Sequence, residues 1–477
     1  MSRDVGAELD RLAAACLSPS FPGHELPGWV LRWLGRGLGG ITLFAYNIGD
    51  PEQVAGLTTS LSAVQPELLV SIDEEGGDVT RLEAVGGSSS PGNLALGAVD
   101  DLELTAAVAS SIAARLRLAG VNLNLAPVAD VNTNPLNPVI GVRSFGADPA
   151  LVARHVAAFV EGTQSQGVAA CAKHFPGHGD TEVDSHLDLP VVDGDPGAAL
   201  EPFRTAIDAG VRAVMTGHLL VPALDDLPAT VSRELVAGLL RTELGFDGLV
   251  VSDALEMRGI SAGVGVEAGA VLALEAGVDV LCLGHDLHED AVEAVHAAIC
   301  AAVQSQRLPL ERLAEAAERV AATVRWAANA TPTALPSGDF GADAARRALH
   351  VRGDASLQAP PLVVELEPAV NIAAGKFEHG LADLWPGAVG VQLQTAASNV
   401  DAVIAPFADR PLVVVLRDAA RHEWQQRSAR ELVSLRPDAV VLETGVPGWL
   451  PDGAAATIET HGASRASLTA AAELLRG

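Results

Sequence analysis

Val168-Ala-Ala-Cys-Ala-Lys-His-Phe-Pro-Gly-His-Gly-Asp-Thr-Glu-Val-Asp-Ser-His186 begins as an apolar run and ends as a loop crowded with polar chemistry. Three histidines (His174, His178, His186), two aspartates (Asp180, Asp184) and Lys173 surround a Gly/Pro turn. Packing alone gives no reason for a core strand to end this way. Such a loop can present an imidazole and hold it in one tautomer through a carboxylate, while its glycines keep it mobile. That is the profile of an acid/base loop.

The same grammar repeats on either side. Short apolar runs occur at Gly40–Phe44, Leu68–Ile72, Val121–Leu125, Ala213–Met215, Leu249–Ser252 and Val278–Leu283. Helix-length stretches lie between several of them, among them Leu151–Gln166, Ala198–Ala209, Glu267–Ala276 and Asp290–Gln304. Strand–helix alternation over roughly 250 residues predicts a parallel α/β barrel. Asp73, Asp130, Lys173, His174, His218 and Asp253 each follow the C-terminal end of a run. In a barrel those ends converge on one mouth, whereas an open doubly wound sheet concentrates them at its switch point. No Gly-rich dinucleotide fingerprint follows an early strand. The expected fold is therefore α/β, a TIM-type (β/α)8-like barrel followed by a smaller α/β sandwich domain.

The break is expected after a long helical stretch, Leu310–Ala327, in the Pro/Ala/Thr segment Ala327–Asp339. Beyond it, strand-like runs at Pro361–Leu366, Pro411–Leu416 and Ala439–Leu442 alternate with helical segments. The expected boundaries are 1–330 for the barrel, 331–340 for a linker and 341–477 for the sandwich.

The 477 residues suffice for two or three domains, and 49% hydrophobic against 19% charged residues marks a globular chain. With 31 Lys+Arg against 60 Asp+Glu, the net charge of −29 argues against nucleic acid or an anionic membrane as the main partner. The first ten residues are polar and acidic, so a secretory signal is not expected. Cys16, Cys171, Cys282 and Cys300 show no short pair spacing and are expected as free thiols. Together these features fit a cytoplasmic setting.

Asp253, in Val250-Val-Ser-Asp-Ala-Leu-Glu-Met257, is a helix cap on spacing alone, or a nucleophile at the barrel mouth. Asp184 and His186 stand two apart, so in an extended turn they project to one side, with the carboxylate holding Nδ1–H and Nε2 left free. Lys173, His174 and His218 are donors to a hydroxylated ligand or, for the histidines, satisfied structural side chains. Asp73 and Arg81, flanking Glu74-Glu-Gly-Gly77, and Arg143, in Gly141-Val-Arg-Ser-Phe-Gly146, are further sugar-hydroxyl candidates. His174, His178, His186, Asp180 and Asp184 are all potential zinc ligands, although His-x3-His on a Pro/Gly turn is not a helical ligand pair.

With these segments in view, the chain resembles the bacterial β-N-acetylglucosaminidases of glycoside hydrolase family 3. The matching segments are Ile72–Gly77, Ala126–Asp130, Gly141–Gly146, Lys173–His186, Met215–His218 and Ser252–Met257. They fall in family order. The resemblance implies a retaining mechanism with Asp253 as nucleophile and His186, oriented by Asp184, as acid/base. It implies Asp73, Arg81, Arg143, Lys173 and His174 as sugar-binding residues, with His218 lining the same pocket, and neither metal nor organic cofactor. Two residues depart from the family pattern. Asp78 stands where the segment is often basic, which implies altered binding beyond the first sugar, and Ala254 replaces a frequent second aspartate.

The expected partner is an N-acetylglucosamine-containing saccharide, a muropeptide or chitooligosaccharide whose terminal residue is removed, with peptidoglycan recycling as the setting. A phosphorylase on the same scaffold, a β-glucosidase, a metal-dependent hydrolase and a non-catalytic sugar-binding protein are the alternatives. Oligomeric state is not legible.

Overall fold

The computed structural model describes residues 3–192, 196–284, 288–335, 337–368, 374, 380–396 and 399–477. By its contacts the chain forms two compact units. One comprises Met1–Glu74, Thr105–Val131 and Asp148–Pro336; the other comprises Glu75–Leu104, Asn132–Ala147 and Ser337–Gly477.

Among the described residues the first unit holds the strands β1 (Leu17–Pro19), β2 (Gly40–Leu43), β3 (Leu69–Ile72), β4 (Leu123–Asn124), β5 (Ala169–Phe175), β6 (Ala213–Thr216), β7 (Leu249–Ser252) and β8 (Leu281–Leu283). Strands β2 to β7 form one parallel sheet in sequence order, and β8 pairs in parallel with β1. A parallel bridge between Val251 and Val280 joins the two sheets. Hydroxyls span the seam between β1 and β2: Ser18 Oγ lies 3.0 Å from Thr42 Oγ1, which lies 3.0 Å from Ser71 Oγ on β3. This is the expected TIM-like arrangement.

These strands are short apolar runs because both of their faces are covered, which removes the need for polar alternation. Alternate residues share a face, so Leu123 and Leu125, Ala169 and Cys171, Ala213 and Met215, and Leu249 and Val251 meet in one core. Val320 and Val324 of helix Leu310–Asn329 join that core. Each such fully buried Val or Leu contributes about 1.5–3 kcal/mol. Helices Pro51–Val64 and Pro149–Ser165 start in the same way: an aspartate (Asp50, Asp148) caps a free N–H and proline occupies the first turn. Before β8, the fully buried Asp279 accepts from Arg241 (2.6 Å), Arg312 (2.5 Å) and Arg319 (3.2 Å), and from the Val250 N–H (3.0 Å).

The second unit is built on a six-stranded sheet: β9 (His350–Gly353), β10 (Leu362–Leu366), β11 (Val389–Leu393), β12 (Leu412–Leu416), β13 (Val440–Glu443) and β14 (Ala456–Glu459). The order is β11-β10-β12-β13-β14-β9, all parallel except β9, which runs antiparallel to β14. Val364, Val414 and Val441 point into one core with helix Glu423–Leu435; Val363, Val413 and Leu442 point into another with helix Arg465–Arg476. The sheet is thus the middle layer of a sandwich. The three strand-like runs of the sequence are its central strands β10, β12 and β13. Strands β9, β11 and β14 escaped because they lie at or near the sheet's edges and are only partly apolar.

Segments Glu75–Leu104 and Asn132–Ala147 precede the expected linker in sequence but make their contacts within this second unit. The Ala466 N–H donates to Ser88 O (3.1 Å), and Arg347 pairs with Asp101 (2.8 Å). The long helix runs on to Asn329, past the start of the Pro/Ala/Thr segment, and Asp339 caps the next helix, Phe340–Arg347. Pro336 lies outside the described residues. Among the described residues, no helix is long and apolar enough to cross a membrane.

Candidate active site

Five consecutive strands of the first unit deliver the candidate residues at their C-terminal ends. Asp73 follows β3, Asp130 comes after β4, Lys173 and His174 belong to β5, His218 follows β6 and Asp253 follows β7. The parallel register brings these ends to one side of the sheet, the position at which barrel enzymes place their chemistry.

Asp253 is half-buried. Its own N–H donates to Thr216 O (3.0 Å), and its Oδ1 accepts the Ala254 N–H (2.8 Å). Burial pushes the carboxyl up, but the nearby imidazoles of His174, His218 and His186, with the Ala254 N–H, outweigh it and hold the group below the ordinary aspartate value. Asp253 is therefore favoured as an anion by imidazoles in electrostatic reach.

The Asp184–His186 pair forms as the spacing suggested. Asp184 Oδ1 lies 2.7 Å from His186 Nδ1 and accepts the His186 N–H at 2.9 Å. Burial raises the Asp184 carboxyl and the bonds to His186 lower it further, so it too stays below the ordinary value.

Lys173 is buried, and its Nζ meets Asp73 Oδ1 at 2.6 Å. His174 Nδ1 bonds Asp130 Oδ2 at 2.7 Å. The other Asp130 oxygen accepts the N–H groups of His174 (3.2 Å) and His178 (2.7 Å). Asp130 is fully buried and orients the whole turn. It was legible as a strand-end aspartate, but not as the residue that sets the His174 tautomer.

His218 has both ring nitrogens engaged within the protein, Nδ1 with Thr230 Oγ1 (2.8 Å) and Nε2 with Ala254 O (2.9 Å). Burial lowers its pKa against the pull of Asp253, which disfavours the charged ring. The sequence left His218 as a ligand donor or a satisfied structural side chain; its two ring bonds also steady the turn after Asp253. His178 is engaged similarly, by Thr181 Oγ1 (2.7 Å) and Ser185 Oγ (3.1 Å). Neither nitrogen is left for a metal, so the zinc set suggested by the histidine density does not assemble around it. Among the described residues, no group of three or more His, Cys, Asp or Glu is set to hold a metal ion.

Arg81 and Arg143 belong to the second unit. Arg143 is buried and grips Glu75 through Nε (3.0 Å) and Nη2 (2.8 Å), while Nη1 donates to Val139 O (3.1 Å). Arg81 is half-buried. Asp78 is buried, pairs with Arg417 Nη2 (2.6 Å) and accepts the Ala463 N–H (2.9 Å). The four cysteines are free; Cys16, Cys171 and Cys282 are buried, and burial pushes the Cys16 thiol up to about 12.

Residues 30–323 match the family model of the glycosyl hydrolase family 3 N-terminal domain. The chain belongs to glycoside hydrolase family 3. A solved family 3 β-N-acetylglucosaminidase from Paenibacillus sp. str. FPU-7 superposes with a TM-score of 0.88 at 34% identity, covering 98% of this chain and 96% of that one. The family 3 chain is 39% identical over 269 residues to a β-hexosaminidase of Bordetella avium, 54% of this chain and 77% of the relative. It is 37% identical over 315 residues to β-hexosaminidase A of Pseudoalteromonas piscicida, 60% of this chain; the match spans only about half (52%) of that relative. The family is one of glycosidases, and the two-domain architecture described above is shared over nearly the whole Paenibacillus chain.

Proposed function

We propose that this family 3 glycosidase is a retaining exo-β-N-acetylglucosaminidase that removes terminal N-acetylglucosamine from muropeptide or chitooligosaccharide fragments. The observation that carries the reading is the Asp184–His186 pair, bonded at 2.7 Å through Nδ1, in electrostatic reach of the ionised Asp253.

In the first step the Asp253 carboxylate attacks the anomeric carbon. His186, protonated at Nε2, gives that proton to the departing glycosidic oxygen. The products are a glycosyl ester on Asp253 and the free aglycone alcohol. In the second step the now neutral His186 takes a proton from water as the water oxygen attacks the anomeric carbon, and the Asp253 carboxylate departs. Asp184 stays ionised throughout and stabilises the imidazolium of the resting state. Asp73, Lys173 and His174 are assigned to the sugar hydroxyls.

A second reading is favoured by the chemistry of His186. A neutral imidazole, unlike a carboxylate, does not repel an anionic acceptor at the second step, which is compatible with phosphate in place of water. Turnover of nitrophenyl N-acetyl-β-glucosaminide with and without phosphate, by wild type and Asp253→Ala, tests both. Turnover abolished by the substitution and indifferent to phosphate supports the hydrolase. Phosphate-dependent release of sugar 1-phosphate moves the assignment to a phosphorylase, and no turnover in either condition removes both. A cytoplasmic role in peptidoglycan recycling belongs to the same proposal and is tested by cell fractionation.

A further inference from the structure

The residue between the two members of the acid/base pair is held from two sides. Ser185 is buried. Its hydroxyl lies 3.1 Å from His178 Nε2, and its carbonyl accepts the Gly259 N–H at 3.2 Å. The two grips come from different directions. His178 belongs to the start of the same loop, and its own N–H is fixed by Asp130, the residue that also orients His174. Gly259 comes six residues after Asp253, on the segment that follows the nucleophile. The neighbouring Arg258 Nε donates to Leu187 O at 3.0 Å, so that segment holds the chain on both sides of His186.

The bonding pattern suits a neutral His178 ring. Thr181 Oγ1 spends its hydrogen on His178 O (3.0 Å), so it accepts from Nδ1–H. Nε2 is then the acceptor for the Ser185 O–H. Gly259 sits where chain segments cross. A Cβ there would lie 2.9 Å from His218 Cβ, 3.2 Å from His218 O and 3.3 Å from Ser185 O. The absence of a side chain lets the nucleophile's segment approach the acid/base loop closely enough for backbone bonding.

We propose that Ser185, gripped on its hydroxyl by His178 and on its carbonyl by Gly259, is a positioning residue that fixes the Asp184–His186 pair relative to Asp253. The inference rests on the assignment of His186 as acid/base. Neither Ser185 nor His178 touches the reacting atoms. Their effect passes through the placement of His186 Nε2 at the leaving oxygen, and misplacement on the ångström scale costs proton transfer roughly ten- to a hundred-fold.

The test compares wild type, Ser185→Ala, His178→Phe and the double variant on two substrates. One is nitrophenyl N-acetyl-β-glucosaminide, whose leaving group needs little protonation; the other is chitobiose, whose leaving group needs it fully. The expected result is a kcat on chitobiose roughly ten- to a hundred-fold lower for each single variant, with the nitrophenyl substrate changed several-fold less. The double variant loses no more of that ratio than the larger single loss, because both act through one contact. Equal losses on both substrates, no loss on either, or a fully additive double variant would each overturn the proposal while the glycosidase reading stands. A wild type that turns over neither substrate would overturn both.

Discussion

Asp78 and Arg417 stand 339 positions apart in sequence and meet at 2.6 Å, the carboxylate buried and the guanidinium largely so. Asp78 also accepts the Ala463 N–H at 2.9 Å, which ties the Glu75–Leu104 segment to residues at the C-terminal ends of β12 and β14. Removing one partner of a buried, hydrogen-bonded pair leaves a charge without its counter-ion, which costs about 3–5 kcal/mol. Arg417→Ala should lower the midpoint of urea unfolding of the second unit's transition. Asp78→Leu combined with Arg417→Met should recover most of the loss, since no orphaned charge remains. A single substitution without effect would show the pair to be dispensable.

Asp253→Ala should reduce turnover of the nitrophenyl substrate by a factor on the order of 10⁴ or more, because the covalent step loses its nucleophile. The fold should survive, since the Asp253 backbone bond to Thr216 O does not involve the side chain. Residual turnover within about ten-fold of wild type would remove Asp253 from the nucleophile role.

His186→Ala should slow chitobiose far more than the nitrophenyl substrate, because a good leaving group departs without a proton. Asp184→Asn should act in the same direction, losing the anion that stabilises the imidazolium; kcat with both substrates is the measurement. Equal loss on both would take the acid role away from His186.

The pH dependence has a definite sign. Asp184 and Asp253 are both held below the ordinary aspartate value. A carboxylate depressed in the folded state contributes stability that is fully present above its unfolded pKa of about 3.9 and is lost as pH falls through the lower folded value. Thermal unfolding between neutral pH and pH 2 should therefore show their contribution intact down to about pH 4 and lost below it. Asp184→Asn should flatten that acid slope. An unchanged slope would mean that Asp184 is not depressed.

Asp130→Ala should be among the costly polar changes at the site. It leaves the His174 and His178 N–H groups and His174 Nδ1 without their acceptor, and each buried orphan costs about 1–3 kcal/mol. Both a lower melting temperature and a lower kcat/KM are expected. Loss of activity with an unchanged melting temperature would assign Asp130 a purely local role.

Features that repeat locally are legible in the residues alone. The apolar runs became β2 to β8 because a strand covered on both faces must be apolar throughout, and the polar residues that follow β3 to β7 lie on one side of the sheet. The Asp184-x-His186 spacing carried its own hydrogen bond, since two residues apart is near enough for a carboxylate to reach its neighbour's ring. Tertiary structure decided what depends on distant partners. That His218 spends both ring nitrogens on a hydroxyl and a carbonyl, that Asp130 orients His174, and that Asp78 turns toward Arg417 cannot be read from spacing. Those partners lie on other strands and loops, in the case of Asp78 hundreds of residues away. The edge strands β9 and β11 were silent for a related reason: a strand with one side open needs no continuous apolar run, so only its neighbour in the sheet identifies it.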